Sequence, residues 1–227
     1  MSIDCIIPAA GASTRMGDWK PLLPFGESTI VETTIATALA AQVEGGMRVL
    51  LVAGYRGDEL HELFEGRPGV AIVDNPRWEA GMLGSIQAAL PFVCSDRFFI
   101  LHADMPLVPS AAFGLLYEAN RAARGPRGYN EGDRDDCCEC GERGAVREGD
   151  VPAGVPLFAS FRGEAGHPVL VPATLIGDIL GLDPAGRLRP FLLERGGRLV
   201  ECGTRAVLAD LDNRADYERA KSERSRK

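Results

Sequence analysis

The sequence is poor in several features that would by themselves declare a class. Six cysteines among 227 residues are too few for a disulfide scaffold. Cys5, Cys94 and Cys202 stand singly in apolar surroundings, where a reduced core thiol is expected. No apolar run approaches the roughly 18 residues of a membrane span. The opening stretch MSIDCIIPAAG lacks the basic segment, hydrophobic stretch and cleavage site of a secretion signal, so a cytoplasmic chain with no membrane partner is expected. Basic charge is also short: Lys plus Arg total 25 against 32 Asp plus Glu, a net charge of −7. Such a chain has no global attraction for a nucleic acid backbone, and any anionic ligand must be held locally. There is no HExxH and no Ser, His and acid constellation to support a hydrolase. Neither G-x-G-x-x-G nor G-x-x-x-x-G-K-[ST] occurs, which disfavours hydride-transfer cofactors and P-loop hydrolysis.

What remains is ordinary globular composition, with 45% hydrophobic and 25% charged residues, and length enough for one α/β domain carrying an insertion. The first 120 or so residues alternate between two periodicities. Apolar runs at Ile3–Pro8, Met47–Ala53, Val70–Val73 and Arg97–Leu101 read as strands. Val31–Gln42, Gly57–Glu65, Gly84–Phe92 and Pro109–Ala123 read as helices, the first with Val31, Ile35, Ala38 and Leu39 on one face. Strands apolar at every position with helices between them predict a mainly parallel sheet covered on both faces, a Rossmann-like three-layer α/β fold. Right-handed crossovers then place the strands' carboxyl ends on one edge, where ligands bind. Residues 124 to about 154 are dense in glycine and charge and cannot offset their own ordering by burial, so a mobile insertion is expected there within a single 1–227 domain. Beyond it, Pro168–Val171, Arg198–Cys202 and Val207–Leu211 read as strands, Pro172–Leu182 and Arg189–Arg195 as helical, and a last helix starts at Asn213.

Three constellations carry the chemistry. After the first strand, Gly11 and Gly17 bracket a loop (Ala9, Ala10, Gly11, Ala12, Ser13 onward) whose backbone amides can turn inward on an anion, with Arg15 and Lys20 as solvent-side cations for a polyphosphate. Asp104, just past the strand Arg97–Leu101, projects at the binding edge, where a lone carboxylate beside polyphosphate holds Mg²⁺; capping the next helix is its alternative. His102 is expected to pack or orient rather than ligate, because hard Mg²⁺ prefers oxygen. Strand alternation over Ala209–Asn213 would send Asp210 and Asp212 to one face, and one of them can close the metal site, with helix capping by Asp212 or Asn213 as the alternative.

The run Ala9-Ala10-Gly11-x-Ser13-x-Arg15-Met16-Gly17-x-x-Lys20-x-Leu22-Leu23-Pro24 resembles the signature loop of the nucleotidyltransferases that activate molybdenum cofactor, especially the molybdenum cofactor cytidylyltransferases. Later blocks follow in the family's order: Asn75-Pro76-x-Trp78-x-x-Gly81-Met82-x-x-Ser85-Ile86, Asp104-Met105-Pro106, Gly166-His167-Pro168-Val169-Leu170, and Asp210-Leu211-Asp212-Asn213-x-x-Asp216-Tyr217. The resemblance implies transfer of a nucleoside monophosphate from a nucleoside triphosphate to molybdopterin or molybdenum cofactor, with Mg²⁺ as cofactor and a molybdoenzyme receiving the product. It places the second metal position at Asp212, sets the loop of Gly81 and Ser85 against nucleobase and ribose, and puts Gly166-His167-Pro168 on the acceptor side. Trp78 either stacks on the pterin or covers the core; His167 either contacts the acceptor or is structural. Pro8-Ala9-Ala10-Gly11 in place of the guanylyl branch's L-A-G-G favours CTP. Alternatives are the cytidylyltransferase acting on methylerythritol phosphate, the sugar-1-phosphate nucleotidyltransferases and a non-catalytic chaperone with the nucleotide fold. The resemblance does not explain Cys137, Cys138 and Cys140, whose spacing is poor for a closed zinc site; an oxidisable loop is expected.

Overall fold

The computed structural model describes residues 2–12, 18–123 and 154–224. Ser13, Arg15, the three clustered cysteines and all of the expected insertion except Gly154 lie outside the described residues. Nine strands and seven α-helices are described, in the order β1 (Ile3–Pro8), a hairpin of β2 (Pro24–Phe25) and β3 (Ser28–Thr29), α1 (Ile30–Leu39), β4 (Met47–Ala53), α2 (Gly57–Phe64), β5 (Val70–Asp74), α3 (Met82–Ala89), β6 (Arg97–Ile100) and α4 (Ser110–Ala123). After residue 153 come β7 (Leu157–Phe161), β8 (Glu164–Pro172), α5 (Ile176–Leu180), α6 (Leu188–Glu194), β9 (Arg198–Glu201) and α7 (Arg214–Arg224).

Seven strands form one sheet in the order β5-β4-β1-β6-β8-β7-β9, so segments on both sides of residues 124–153 share it. Pairings β5-β4, β4-β1, β1-β6 and β7-β9 are parallel. The alternation of each strand divides the core into two layers. One face carries Cys5, Ile7, Val49, Leu51, Phe99 and Leu101 against α1, α2 and α4. The other carries Ile6, Leu50, Val52, Phe98, Ile100 and Val169 against α3, α5 and α6. Helix α1 begins at a reciprocal capping box: Thr29 Oγ1 accepts from the Glu32 amide while Glu32 Oε2 accepts from the Thr29 amide.

Three sequence expectations are corrected. First, β8 runs antiparallel to both β6 and β7, so not every strand ends on the same edge. The cause is local: β7 turns into β8 through Arg162 and Gly163, both at positive φ, and a two-residue turn enforces antiparallel pairing. The amino end of β8, Gly166-His167, therefore arrives at the edge where β1, β4 and β6 end. Second, β7 is a strand that the apolar run after Val155 did not by itself separate. Third, Val207–Leu211 is no strand. Residues Arg205–Leu208 form a 3₁₀ turn whose Thr204 side chain accepts from the Ala206 amide. Val207 enters the sheet core, whereas Leu211 enters a separate cluster with Phe25, Ile30 and Tyr217. The turn lies directly on β8: a Cβ on Gly166 would come within 2.1 Å of the Val207 carbonyl oxygen, so only glycine fits there.

Candidate active site at the carboxyl edge of the sheet

Lys20, Asp104 and Asp212 meet although they are far apart in the chain. Lys20 Nζ lies 3.2 Å from Asp104 Oδ2 and 3.3 Å from Asp212 Oδ1. Lys20 is not the solvent-side cation expected from sequence: it is 9% exposed, seated in a 3₁₀ turn, Lys20–Leu22. The Asp104 loop is anchored from two sides. Thr34 Oγ1 on α1 donates to the Ala103 carbonyl, and the Leu211 amide donates to the Asp104 carbonyl at 3.1 Å. That second bond sets Asp212 beside Asp104. Tyr217 Oη, donating to the Pro24 carbonyl at 2.6 Å, ties α7 to the segment carrying Lys20. Of the capping alternatives, Asn213 takes one, its Oδ1 accepting from the Asp216 amide at the start of α7, while Asp104 is engaged by Lys20 and α4 begins only at Ser110.

Asp210 sits near the same cluster. Partial burial, and then the charges of Asp212 and Asp104, raise its carboxyl pKa above the ordinary value. Two carboxylates thus share one ammonium with a third in their field, a surplus of hard oxygen donors and negative charge among the described residues. No group of three or more His, Cys, Asp or Glu side chains is close enough to hold a metal alone among the described residues. One or two carboxylates with the remaining positions left to water and phosphate is the donor set that Mg²⁺ takes, so the residues fit that ion.

The β1 loop turns over β4. The Tyr55 amide donates to the Ala10 carbonyl, and Trp19 Nε1 donates to the Gly11 carbonyl at 3.0 Å. Ala9 and Ala10 are buried, Ala12 is half-buried and Gly11 is exposed, with open space where a Cβ would stand. The Ala10 methyl faces inward: a Cβ on Gly54 would lie 2.7 Å from it and 2.6 Å from Trp78 Cβ. Trp78 packs edge-on against Tyr55, which meets Trp19 in turn. Trp78 is therefore part of the wall behind the β1 loop. Ser85 is buried and occupied: its Oγ accepts from Asn75 Nδ2 at 3.1 Å and donates to the Gly81 carbonyl at 3.4 Å. It braces the loop of Gly81.

His102 and His167 stand opposite one another in the extension of the β6-β8 register, their ring centroids 4.1 Å apart. Burial lowers both pKa values; Asp104 counters this at His102, while the His102 charge reinforces it at His167. Both rings line a cavity of about 370 Å³ walled by Met82, Ile86, Phe158 and Val169. Trp78 does not line it. Arg187 and Arg189 do, and sequence reasoning missed them; the signal was a pair of basic residues two apart in the glycine- and proline-bearing stretch 181–190.

Residues 5–199 match the family described as MobA-like NTP transferase domain. The chain is 32% identical over 220 residues to the molybdenum cofactor cytidylyltransferase of Escherichia coli, covering 97% of this chain and 96% of that one. A nucleotidyl transferase of Methanothermobacter superposes with a TM-score of 0.69 at 24% identity, covering 99% of this chain and 98% of the other. A Mycobacterium tuberculosis protein solved in complex with manganese gives 0.65 at 19% identity, covering 98% and 99%. These two likenesses show the shared fold.

Proposed function

This chain belongs to the MobA-like NTP transferase family, and on that premise we propose that it transfers CMP from CTP to the terminal phosphate of molybdopterin or its molybdenum-loaded form, releasing pyrophosphate. The observation that carries the reading is the convergence of Lys20, Asp104 and Asp212 beside a cavity able to take an acceptor. The near full-length relative with that activity supports the choice of substrates.

An acceptor phosphate oxygen attacks the α-phosphorus of CTP; the bond from the α-phosphorus to the bridging oxygen breaks, and pyrophosphate leaves. No covalent intermediate on the protein is needed, so the chain supplies alignment and charge neutralisation. The open face at Gly11, with Arg15, receives the triphosphate. Lys20, held between two carboxylates, keeps them apart from each other's charge and offers its ammonium to the phosphates. Asp104 and Asp212 would hold Mg²⁺, which when bound supplies positive charge to the phosphates. The preference for CTP acts indirectly: Ala10 points at Gly54 and Trp78 rather than outward, so its bulk sets the position of the loop's backbone and of the aromatic wall. A cytoplasmic location and delivery of the product to a molybdoenzyme complete the reading.

The test is pyrophosphate release with Mg²⁺ and molybdenum cofactor, comparing CTP, GTP, ATP and UTP. Release with CTP well above the others is expected. Release only with methylerythritol phosphate or a sugar 1-phosphate as acceptor would replace the molybdopterin assignment, and no release with any acceptor would favour a chaperone.

A further inference from the structure

The cavity beside the carboxylate cluster has apolar walls but a basic rim. Met82, Ile86, Phe158 and Val169 give it hydrophobic sides, and the mutually tilted rings of His102 and His167 line it too, with His102 within the field of both Asp104 and Arg189. At its mouth stand Arg187 and Arg189, both exposed. Arg48, Arg56, Arg195 and Arg214 have carboxylate partners in Asp4, Glu59, Asp178 and Glu218, whereas Arg77, Arg198 and Arg205 are, like the two cavity arginines, without one among the described residues. The guanidiniums of Arg187 and Arg189 have no hydrogen-bond or ion-pair partner among the described residues.

Their place is fixed. Gln87 Nε2 on α3 donates to the carbonyls of Ile179 and Leu182 at 2.8 and 2.9 Å, and the Gly84 amide donates to the Pro184 carbonyl. Close approach of this stretch is what Gly81 and Gly84 permit: a Cβ on either would meet Pro184 at 3.3 Å. At both glycines the neighbouring space is taken by the connection between α5 and α6. With the backbone leading into the rim held before binding, the ordering cost is confined to the two arginine side chains.

We infer that Arg187 and Arg189 hold the phosphate of the acceptor, whose planar heterocycle lies between the apolar walls of the cavity. This rests on the proposed acceptor being a pterin phosphate and names the residues that select it. Bringing a phosphate dianion up to a triphosphate is opposed by repulsion, and two guanidiniums at the mouth offset it while fixing the oxygen's direction.

The experiment compares Arg187→Ala, Arg189→Ala, the double variant and Arg195→Ala, whose guanidinium pairs with Asp178 and lies outside the cavity lining. Melting temperature verifies folding. Equilibrium fluorescence measures binding of 6-hydroxymethylpterin and of its monophosphate ester, and steady-state kinetics gives KM for molybdopterin and for CTP. The expected result is that wild type and Arg195→Ala prefer the phosphorylated pterin. Each cavity variant should lose about tenfold to a hundredfold of that affinity while keeping affinity for the alcohol, with KM rising for molybdopterin and not for CTP. Unchanged phosphate preference in the double variant overturns the inference while leaving the activity standing. A rise in KM for CTP equal to that for molybdopterin also overturns it, because the guanidiniums would then serve the donor. If wild type shows no turnover with molybdopterin yet loses phosphate preference on double substitution, the proposed function fails and the phosphate-holding rim stands.

Discussion

Two aspartates of the central strands, at opposite ends of the sheet, are treated in opposite ways. Asp4, at the amino end of β1, is 1% exposed and matched on both oxygens. Its Oδ1 accepts from Arg48 Nε at 2.6 Å, and its Oδ2 accepts from the amides of Cys94 and Ser95, with Ser95 Oγ at 3.0 Å. Asp104, past the carboxyl end of β6, shares one ammonium with Asp212 and has Asp210 in its field. The first cluster is a buried charge fully answered by protein donors, which is how a structural charge is retained. The second is left with more negative charge than the described chain answers. The contrast fits the proposed function, in which a cation and a phosphorylated ligand would answer the charge at the second end.

The contrast can be broken most forcefully at the structural end. Asp4→Ala should destabilise the fold by about 3–5 kcal/mol, because it leaves a guanidinium and two amides without their acceptor, while the folded fraction keeps its turnover; denaturant melts and activity per folded molecule check both halves. At the other end, Asp104→Asn should lower turnover by about a hundredfold to a thousandfold with the melting temperature kept or raised. If it destabilises as Asp4→Ala does, the two clusters are alike and both structural. Next in size, Asp212→Asn should cost about tenfold to a hundredfold in turnover, and Asp210→Asn little. Because partial burial and then the charges of Asp212 and Asp104 raise the Asp210 pKa, the ionised form destabilises the native state, and Asp210→Asn should stabilise the protein at neutral pH by up to about 1 kcal/mol after solvent screening. The reverse ranking of turnover would make Asp210 the metal carboxylate.

The smallest effect concerns the histidine pair. A histidine whose folded pKa is lowered is neutral in the native state and takes up its proton more readily when unfolded. Its contribution is therefore fully present above the unfolded value of about 6.5 and is lost as pH falls from there toward the folded value. Stability measured by denaturant melts should decline as pH is lowered below about 6.5, and His167→Gln should flatten that decline. An unchanged slope would show that the acid sensitivity arises elsewhere.

How far the sequence could be read follows from what each signal reports. The apolar runs of β1 and β4 and the helical face of Val31, Ile35 and Ala38 record the burial of a segment's own side chains, and burial is imposed locally by periodicity. Those elements and the mainly parallel sheet were legible to within a few residues. Alternation misled at Val207–Leu211, since two apolar residues four apart can enter two different cores from a turn as readily as one face from a strand.

The chain's own order thus determined a sheet with helices on both sides and a set of carboxylates that could gather. Tertiary structure alone decided that β8 runs backwards and brings His167 to His102. It alone decided that Lys20 is buried between Asp104 and Asp212, that Asn213 rather than Asp212 caps α7, and that Arg187 and Arg189 rim a cavity. The reason is physical. A periodic pattern specifies how much of a side chain is buried but not against what, and an ion pair between residues 84 or 192 positions apart exists only once the strands and the Leu211–Asp104 hydrogen bond have brought its partners within reach.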